Sequence, residues 1–356
     1  MGLERMRRLS TRLWGRFRKK PATAAAGHTP AVPAAPRLRA YREEQGRLVA
    51  LPEGADLAQA LWIDLFRPSD ADSAALAALG IEVPTLEDME EIEVSNRLYR
   101  EGGTDYMTVV LTGHSDSNTP VSGPVTFILT HGRIVTVRHH ASRPFDTYPT
   151  RADKVGPGCT SANRIFLSLV DEIVGRLADL LESAGRNLDQ LSRTVYDPAR
   201  RGGNQLRLEV ALRQVGREGE LLGHVRLALL TLGRALGFYS QTARERTGDE
   251  GLSATVENLT RDINALEVHT DFLSARVGLA SDATLGMINL AQNSTVRIVS
   301  VVAVLFSPPT LIASVYGMNF DVMPELSQPW GYPVAIGAMV LASAGTWAYF
   351  RWRNWL

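Results

Sequence analysis

The sequence predicts an α+β membrane protein: an α/β body, a long helical stalk and two C-terminal membrane helices. Three observations carry that prediction. Short runs rich in β-branched and aromatic residues lie between residues 61 and 137. A hydrophobic repeat with alternating steps of three and four takes over after Asn163. Two apolar stretches, Val296–Met318 and Tyr332–Phe350, then close the chain, and each has the length of a spanning helix, about 20 residues.

Composition bounds the function classes. The 356 residues carry 38 basic and 38 acidic groups. That balance gives no argument for a nucleic-acid partner. The charges are segregated, with eight Arg or Lys in residues 5–20 and few charges near the C-terminus. A single cysteine, Cys159, excludes an intramolecular disulfide framework and a Cys-rich zinc site. No Gly-rich phosphate loop, nucleophile elbow or zincin helix occurs, so nothing in the sequence points to an enzyme.

Residues 1–40 form a basic arm that becomes Ala/Pro-rich at Pro21, Pro30, Pro33 and Pro36. The composition suits a disordered arm. Met6, Leu9, Leu13 and Phe17 also recur at helical spacing among arginines, which suits a helix resting on anionic lipid. No apolar run follows the basic residues, so the arm is not read as a signal peptide.

The α/β body covers residues 41–160. Leu61–Phe66, Tyr106–Leu111, Val125–Thr130 and Ile134–Val137 read as strands. Gly132-Arg133 belongs to a tight turn that joins the last two. Asp72–Leu79 reads as a helix, and Pro84–Ser95 as another that opens with Thr85 and Asp88 as a capping box. The second packs Glu87, Asp88, Glu90, Glu91 and Glu93 into seven residues. They suit a solvated helix N-terminus or a surface that collects hydrated Mg²⁺, since hard cations prefer oxygen ligands. His131, His139 and His140 have no carboxylate or cysteine at ligand spacing and are read as ordinary surface or hairpin residues.

The stalk covers residues 161–295. Phe166, Leu169, Ile173, Leu177, Leu180, Ala184, Leu188, Leu191 and Val195 make one stripe, which Pro198 and Gly202-Gly203 interrupt. A second helix carries Leu208, Leu212, Val215, Leu222, Val225, Leu229, Leu232 and Leu236. A third runs through Leu252, Val256, Leu259, Ile263, Leu266, Thr270, Leu273, Val277, Ala280 and Thr284, a coiled-coil-like seam. Its small, polar end at Ala280 and Thr284 predicts contact between subunits there. No stop signal separates this helix from the membrane.

The first membrane helix, 296–318, and the second, 332–350, flank a loop at 319–331 that has Asp321 and Glu325 but no Lys or Arg. Arg276 and Arg297 precede the pair, and the 351–356 tail adds Arg351 and Arg353. The positive-inside rule therefore puts both termini in the cytoplasm. Asn293, Ser300, Ser307 and Ser314 are spaced by seven, beside a row of Val296, Ala303, Thr310 and Gly317. Such a face suits close helix packing, or a hydrated pore built from a ring of copies.

Tyr316-Gly317-Met318-Asn319-Phe320 ends the first membrane helix. With Pro308-Pro309-Thr310 before it, Met323-Pro324-Glu325-Leu326 after it and Gly331-Tyr332-Pro333 opening the second helix, it resembles the signature of CorA-type Mg²⁺ channels. Trp62-Ile63-Asp64-Leu65, Glu90–Glu93 and Phe127–Arg138 extend the resemblance over roughly residues 60–356. It implies a homopentamer in the inner membrane with a funnel-shaped cytoplasmic αβα domain. No cofactor is implied; Mg²⁺ is substrate and regulator, with Co²⁺ or Ni²⁺ as further ions. By the resemblance Gly317, Met318 and Asn319 form the outer mouth, and Asp321 and Glu325 concentrate cations outside it. Asn293, Val296, Val299, Ser300, Ala303, Ser307, Thr310 and Ser314 line the pore. Ser307 stands where relatives carry a bulky apolar gate, which moves the expected gate to Val296 or Val299. Asp88, Glu90, Glu91 and Asp262 are the regulatory metal candidates, and Asp282 adds a charge ring at the cytoplasmic end. A Zn²⁺ transporter of the same superfamily and a non-conducting coiled-coil scaffold are the alternative readings.

Overall fold

The structure, a computed structural model, describes residues 38–91, 93–115, 120–196, 205–246, 250–318, 324, 328–353 and 355. Among the described residues seven strands form one mixed sheet: β1 (Leu38–Glu44), β2 (Arg47–Ala50), β3 (Trp62–Phe66), β4 (Leu98–Glu101), β5 (Thr104–His114), β6 (Pro120–Leu129) and β7 (Ile134–Arg138). Their order is β2-β1-β3-β7-β6-β5-β4. Only β3 and β7 pair in parallel, Ile63 opposite Val135; the other neighbours are antiparallel. The basic arm stops short of its expected end, because β1 begins at Leu38. β1 and β2 escape a hydrophobicity-based reading because Arg42, Glu43, Glu44 and Arg47 interrupt their apolar residues; Arg47 lies on the edge strand β2, where charge blocks edge-to-edge pairing. Their turn uses Gln45 at φ 53 and Gly46 at φ 80.

Side chains alternate across the strands and split the core in two. Ile63, Leu65, Ile128, Val135 and Val137 face α1 (Asp70–Ala77) and α2 (Leu86–Glu90), whose Leu76 and Met89 are buried against them. Trp62, Met107, Val109, Phe127 and Ile134 face the other way, onto the helical stalk. This is the αβα layering that the fold class implied. The predicted helix 84–95 is broken: α2 ends at Glu90, Glu91 turns extended, and α3 (Val94–Arg97) restarts the coil. Carboxylates three and four residues apart repel, and a helix C-terminus disfavours negative charge. The Arg97 guanidinium holds the carbonyls of Glu90 and Glu91 at the break.

A polar network around Asp64 lies inside this core. Asp64 is fully buried on β3, and Arg138 of β7 donates to it from Nε and Nη2, at 3.1 and 2.9 Å. Thr136 Oγ1 donates to the same carboxylate at 2.8 Å and accepts from Trp62 Nε1 at 3.1 Å. Arg39 of β1 bridges Asp64 to Asp146. Asp146 belongs to the short helix α4 (Pro144–Thr147). A buried carboxylate is tolerated when its lone pairs are filled in this way.

The stalk consists of α5 (Ala162–Tyr196), α6 (Gln205–Arg246) and α7 (Glu250–Tyr316). The α5 stripe is buried apart from a half-buried Leu180, and the α6 stripe apart from a half-buried Leu212. Thr231 of α6 reaches the sheet, its hydroxyl accepting the Val110 N–H at 3.0 Å. That N–H lies beyond the end of β4, so the helix covers a bare strand edge. The α7 seam packs within the chain: Leu252, Val256, Leu259, Ile263, Thr270 and Leu273 are buried. The expectation of subunit contact at its far end is overturned, since Thr284 is fully buried in a single chain and bonds its hydroxyl to Ala280 O.

Candidate ion pathway and cation-binding surfaces

α7 runs 67 residues without interruption, roughly 100 Å at 1.5 Å per residue. Its last third is apolar and packs against α8 (Gly331–Trp352). Among the described residues three helices, α6 to α8, are long and apolar enough to cross a membrane. In α6 that window is 44% buried, in α7 and α8 only 6% and 11%. The apolar surface of α6 is spent on the sheet, whereas that of α7 and α8 is left for lipid or for other copies.

Packing against α8 divides the faces of α7. Val301 is buried, and Leu305, Pro308 and Ile312 are half-buried. At 100° per residue this row lies roughly half a turn from Ser300, Ala303, Ser307, Thr310 and Ser314. Those five residues are exposed, as are Asn293, Val296 and Val299. Within a single chain α8 thus covers only the Val301 row; the small, polar front is open, and so are the apolar Ile298, Val302, Phe306 and Leu311 on other sides of the helix. Asp282 is exposed eighteen residues, or five turns, before Ser300, and so falls on the same front.

Pro308 and Pro309 stay inside the helix. Proline withholds the N–H that the carbonyl four residues earlier would receive, which leaves acceptors near Ser307 in the membrane-spanning part. Thr310 Oγ1 donates to Phe306 O at 2.7 Å. At the end of the helix Gly317 N donates to Ala313 O at 2.9 Å, and Met318 N to Val315 O at 3.3 Å. A Cβ on Gly317 would come within 3.1 Å of Ala313 O, so glycine suits this turn. Met318 is half exposed. Asn319, Asp321 and Glu325 lie outside the described residues, as does the basic arm.

The acidic candidates do not meet in one chain. Asp88 spends its carboxylate on the capping box, accepting from Thr85 N at 2.9 Å and from Thr85 Oγ1 at 2.6 Å. The hydroxyl and the amide hold it below the usual carboxylate range, so it stays charged at neutral pH. Glu90 and Glu91 are exposed, and Glu91 accepts from Asn96 Nδ2. Asp262 is exposed on α7, beyond the opposite face of the sheet from α2. Among the described residues no three His, Cys, Asp or Glu side chains are grouped to hold a metal.

Sequence reasoning missed two acidic residues. Asp105, fully buried on β5, binds Arg100 Nε at 2.7 Å and the Thr242 hydroxyl at 2.8 Å. Asp171, on α5, is raised above the usual range by burial and further by the charges of Asp262 and Glu172, against a hydrogen bond from Gly156. No spacing joins residues 171 and 262; only the packing of α5 on α7 does. His140 also departs from expectation, being buried at 6% exposure. Its ring fills a slot over Gly113 and Gly123, where an added Cβ would come within 2.4 and 2.7 Å of it. His139 is half-buried too, and burial lowers its pKa.

Residues 58–352 match the family described as CorA-like Mg²⁺ transporter protein. The Magnesium transport protein CorA of Pasteurella multocida is 32% identical over 322 residues, covering 90% of this chain and 100% of that one. The protein of the same name from Escherichia coli (strain K12) is 33% identical over 322 residues with the same coverage. The complete structure of the CorA magnesium transporter from Methanocaldococcus jannaschii superposes with a TM-score of 0.67, at 17% identity, over 90% of this chain and 98% of that one.

Proposed function

The chain belongs to the CorA-like Mg²⁺ transporter family, and on that premise we propose that five copies form a channel carrying Mg²⁺ into the cytoplasm. The observation that carries this reading is the open front of α7. A small, polar helix face that α8 leaves uncovered has no favourable place against lipid, and a ring of copies turns it inward. Asn293, Val296, Val299, Ser300, Ala303, Ser307, Thr310 and Ser314 then line the axis. Val296 and Val299 are its bulkier apolar members and form the gate by dewetting.

Gly317, Met318 and Asn319 form the outer mouth. Mg²⁺ sheds water reluctantly. Neutral oxygens, the Asn319 amide and the Gly317 carbonyl, hydrogen-bond its hydration shell without holding the ion as carboxylates would. Asp321 and Glu325 raise the local cation concentration outside. Co²⁺ and Ni²⁺ share the charge and an octahedral shell and take the same route. The soluble domain and both termini face the cytoplasm of a bacterial inner membrane, an orientation that the distribution of Arg supports. No ATP hydrolysis is needed, since two charges entering an inside-negative cell gain about 4.6 kcal/mol per 100 mV.

Closure follows when cytoplasmic Mg²⁺ bridges acidic groups of neighbouring copies. Asp88, Glu90 and Glu91 lie on the opposite side of the sheet from Asp262, so a bridge between these sets joins two chains more readily than it spans one. Asp282 adds a charge ring to the cytoplasmic entrance.

The test is Mg²⁺ uptake into proteoliposomes, read with an internal Mg²⁺-sensitive dye. Wild-type uptake should accelerate with an inside-negative potential, and Asn319→Ala should abolish it. Zn²⁺ entry without Mg²⁺ entry would move the chain to a zinc-transporting branch, and no divalent flux would leave a scaffold.

A further inference from the structure

A cleft of about 470 Å³ opens between α5 and the segment from Arg143 to Gly156. That volume is in the range of small-molecule sites, about 300–1,000 Å³. Its walls carry both signs of charge. Arg151 is paired with Glu172 at 3.2 Å, and the Thr147 hydroxyl holds the same carboxylate at 2.9 Å. The side chains of Arg143, Lys154 and Arg176 make no ion pair with a described residue. Asp171 and Asp179 face the same space and are likewise unpaired with any cation.

Gly175, inside α5, lines the cleft and is exposed. Glycine inside a helix costs about 1 kcal/mol against alanine. Nothing lies within 4 Å of where its Cβ would stand, so no packing within the chain excludes a side chain there. What a side chain would do is fill the cleft.

We propose that this cleft binds the Mg²⁺ complex of a polyphosphate, with a nucleoside triphosphate as the physiological form. Three unpaired cations match the phosphate oxygens, the two guanidinium groups by paired N–H donors and Lys154 as a point charge. A simple anion site would not place Asp171 and Asp179 beside them. Mg²⁺ is held by one or two carboxylates together with phosphates, and that donor set is the one the wall supplies. The binding does not depend on the transport reading. It would expose this soluble domain to the complexed as well as the free cation.

Isothermal titration of the full-length protein in detergent tests the proposal, with Mg·ATP, Mg·tripolyphosphate, ATP with EDTA, and Mg²⁺ alone as probes. Mg·ATP should bind, and both Lys154→Glu and Gly175→Leu should weaken it at least tenfold while leaving circular dichroism and elution volume unchanged. Arg213→Glu, exposed on α6 away from the cleft, should bind as wild type. Equal affinity for tripolyphosphate would mean that the phosphate chain is read; preference for ATP would mean that the base is read as well. Absence of Mg·ATP binding overturns the proposal, as does heat fully reproduced by Mg²⁺ alone. Binding that both cleft variants leave intact overturns it too.

Discussion

Single buried groups set the limits of this soluble domain. His140 is the sharpest, because burial, and then the charge of Arg138, pushes its pKa down to about 4. An unfolded histidine titrates near 6.5. Below that value the unfolded chain takes a proton that the folded chain refuses, so stability is present above pH 6.5 and lost as pH falls toward 4. The full loss is about 3 kcal/mol, at 1.36 kcal/mol per pKa unit. Phenylalanine fits the same flat slot without titrating. Denaturant midpoints of His140→Phe between pH 7 and pH 4.5 should therefore fall less than those of the wild type; parallel curves would show that His140 is not the group responsible. At this scale the sequence was a poor guide. Two glycines at 113 and 123 make the slot, and only strand register brings them to residue 140. The Asp64–Arg138 pair was similarly invisible, since 74 residues separate its members.

Whole elements were far more legible, for a periodicity needs only neighbours along the chain. The α5 and α6 stripes and the four central strands appear where alternation and the heptad put them. The failures have physical causes. β4 is short and charged, and the acidic helix breaks at Glu91 because like charges accumulate where the helix dipole is negative. How α6 meets the sheet depends on one hydroxyl. Thr231→Val keeps the shape and removes the acceptor of the Val110 N–H, leaving a buried donor bare at a cost of about 1–3 kcal/mol. Amide exchange should show it as faster exchange at Val110, with α5 unchanged. If Val110 remains protected, the clamp is apolar and the hydroxyl is incidental.

At the scale of the whole molecule, a single chain leaves most of the apolar surface of α7 and α8 uncovered. α8 covers Val301 and leaves Ser300 bare, and in the proposed ring Ser300 is on the side that meets water. Cysteines introduced one at a time should report it, since the native Cys159 is buried. In proteoliposomes a hydrophilic thiol reagent should modify Ser300→Cys and Ser307→Cys, and leave Val301→Cys and Leu305→Cys unmodified. Faster reaction at 301 and 305 would put the pathway on the wrong face.

What the sequence by itself determined is everything written locally: two spans of bilayer length, the heptad stalk, the strand alternation, and the Tyr316–Phe320 motif that announces the family. Hydrophobic burial enforces these within a few turns of chain, so composition and spacing suffice. Only the tertiary structure decided which polar groups are buried, that the seam of α7 is filled by its own chain through Thr284, and that the charge of Asp262 acts on Asp171. Those outcomes depend on contacts between segments far apart in sequence. Their electrostatic and packing energies exist only once the layers have closed.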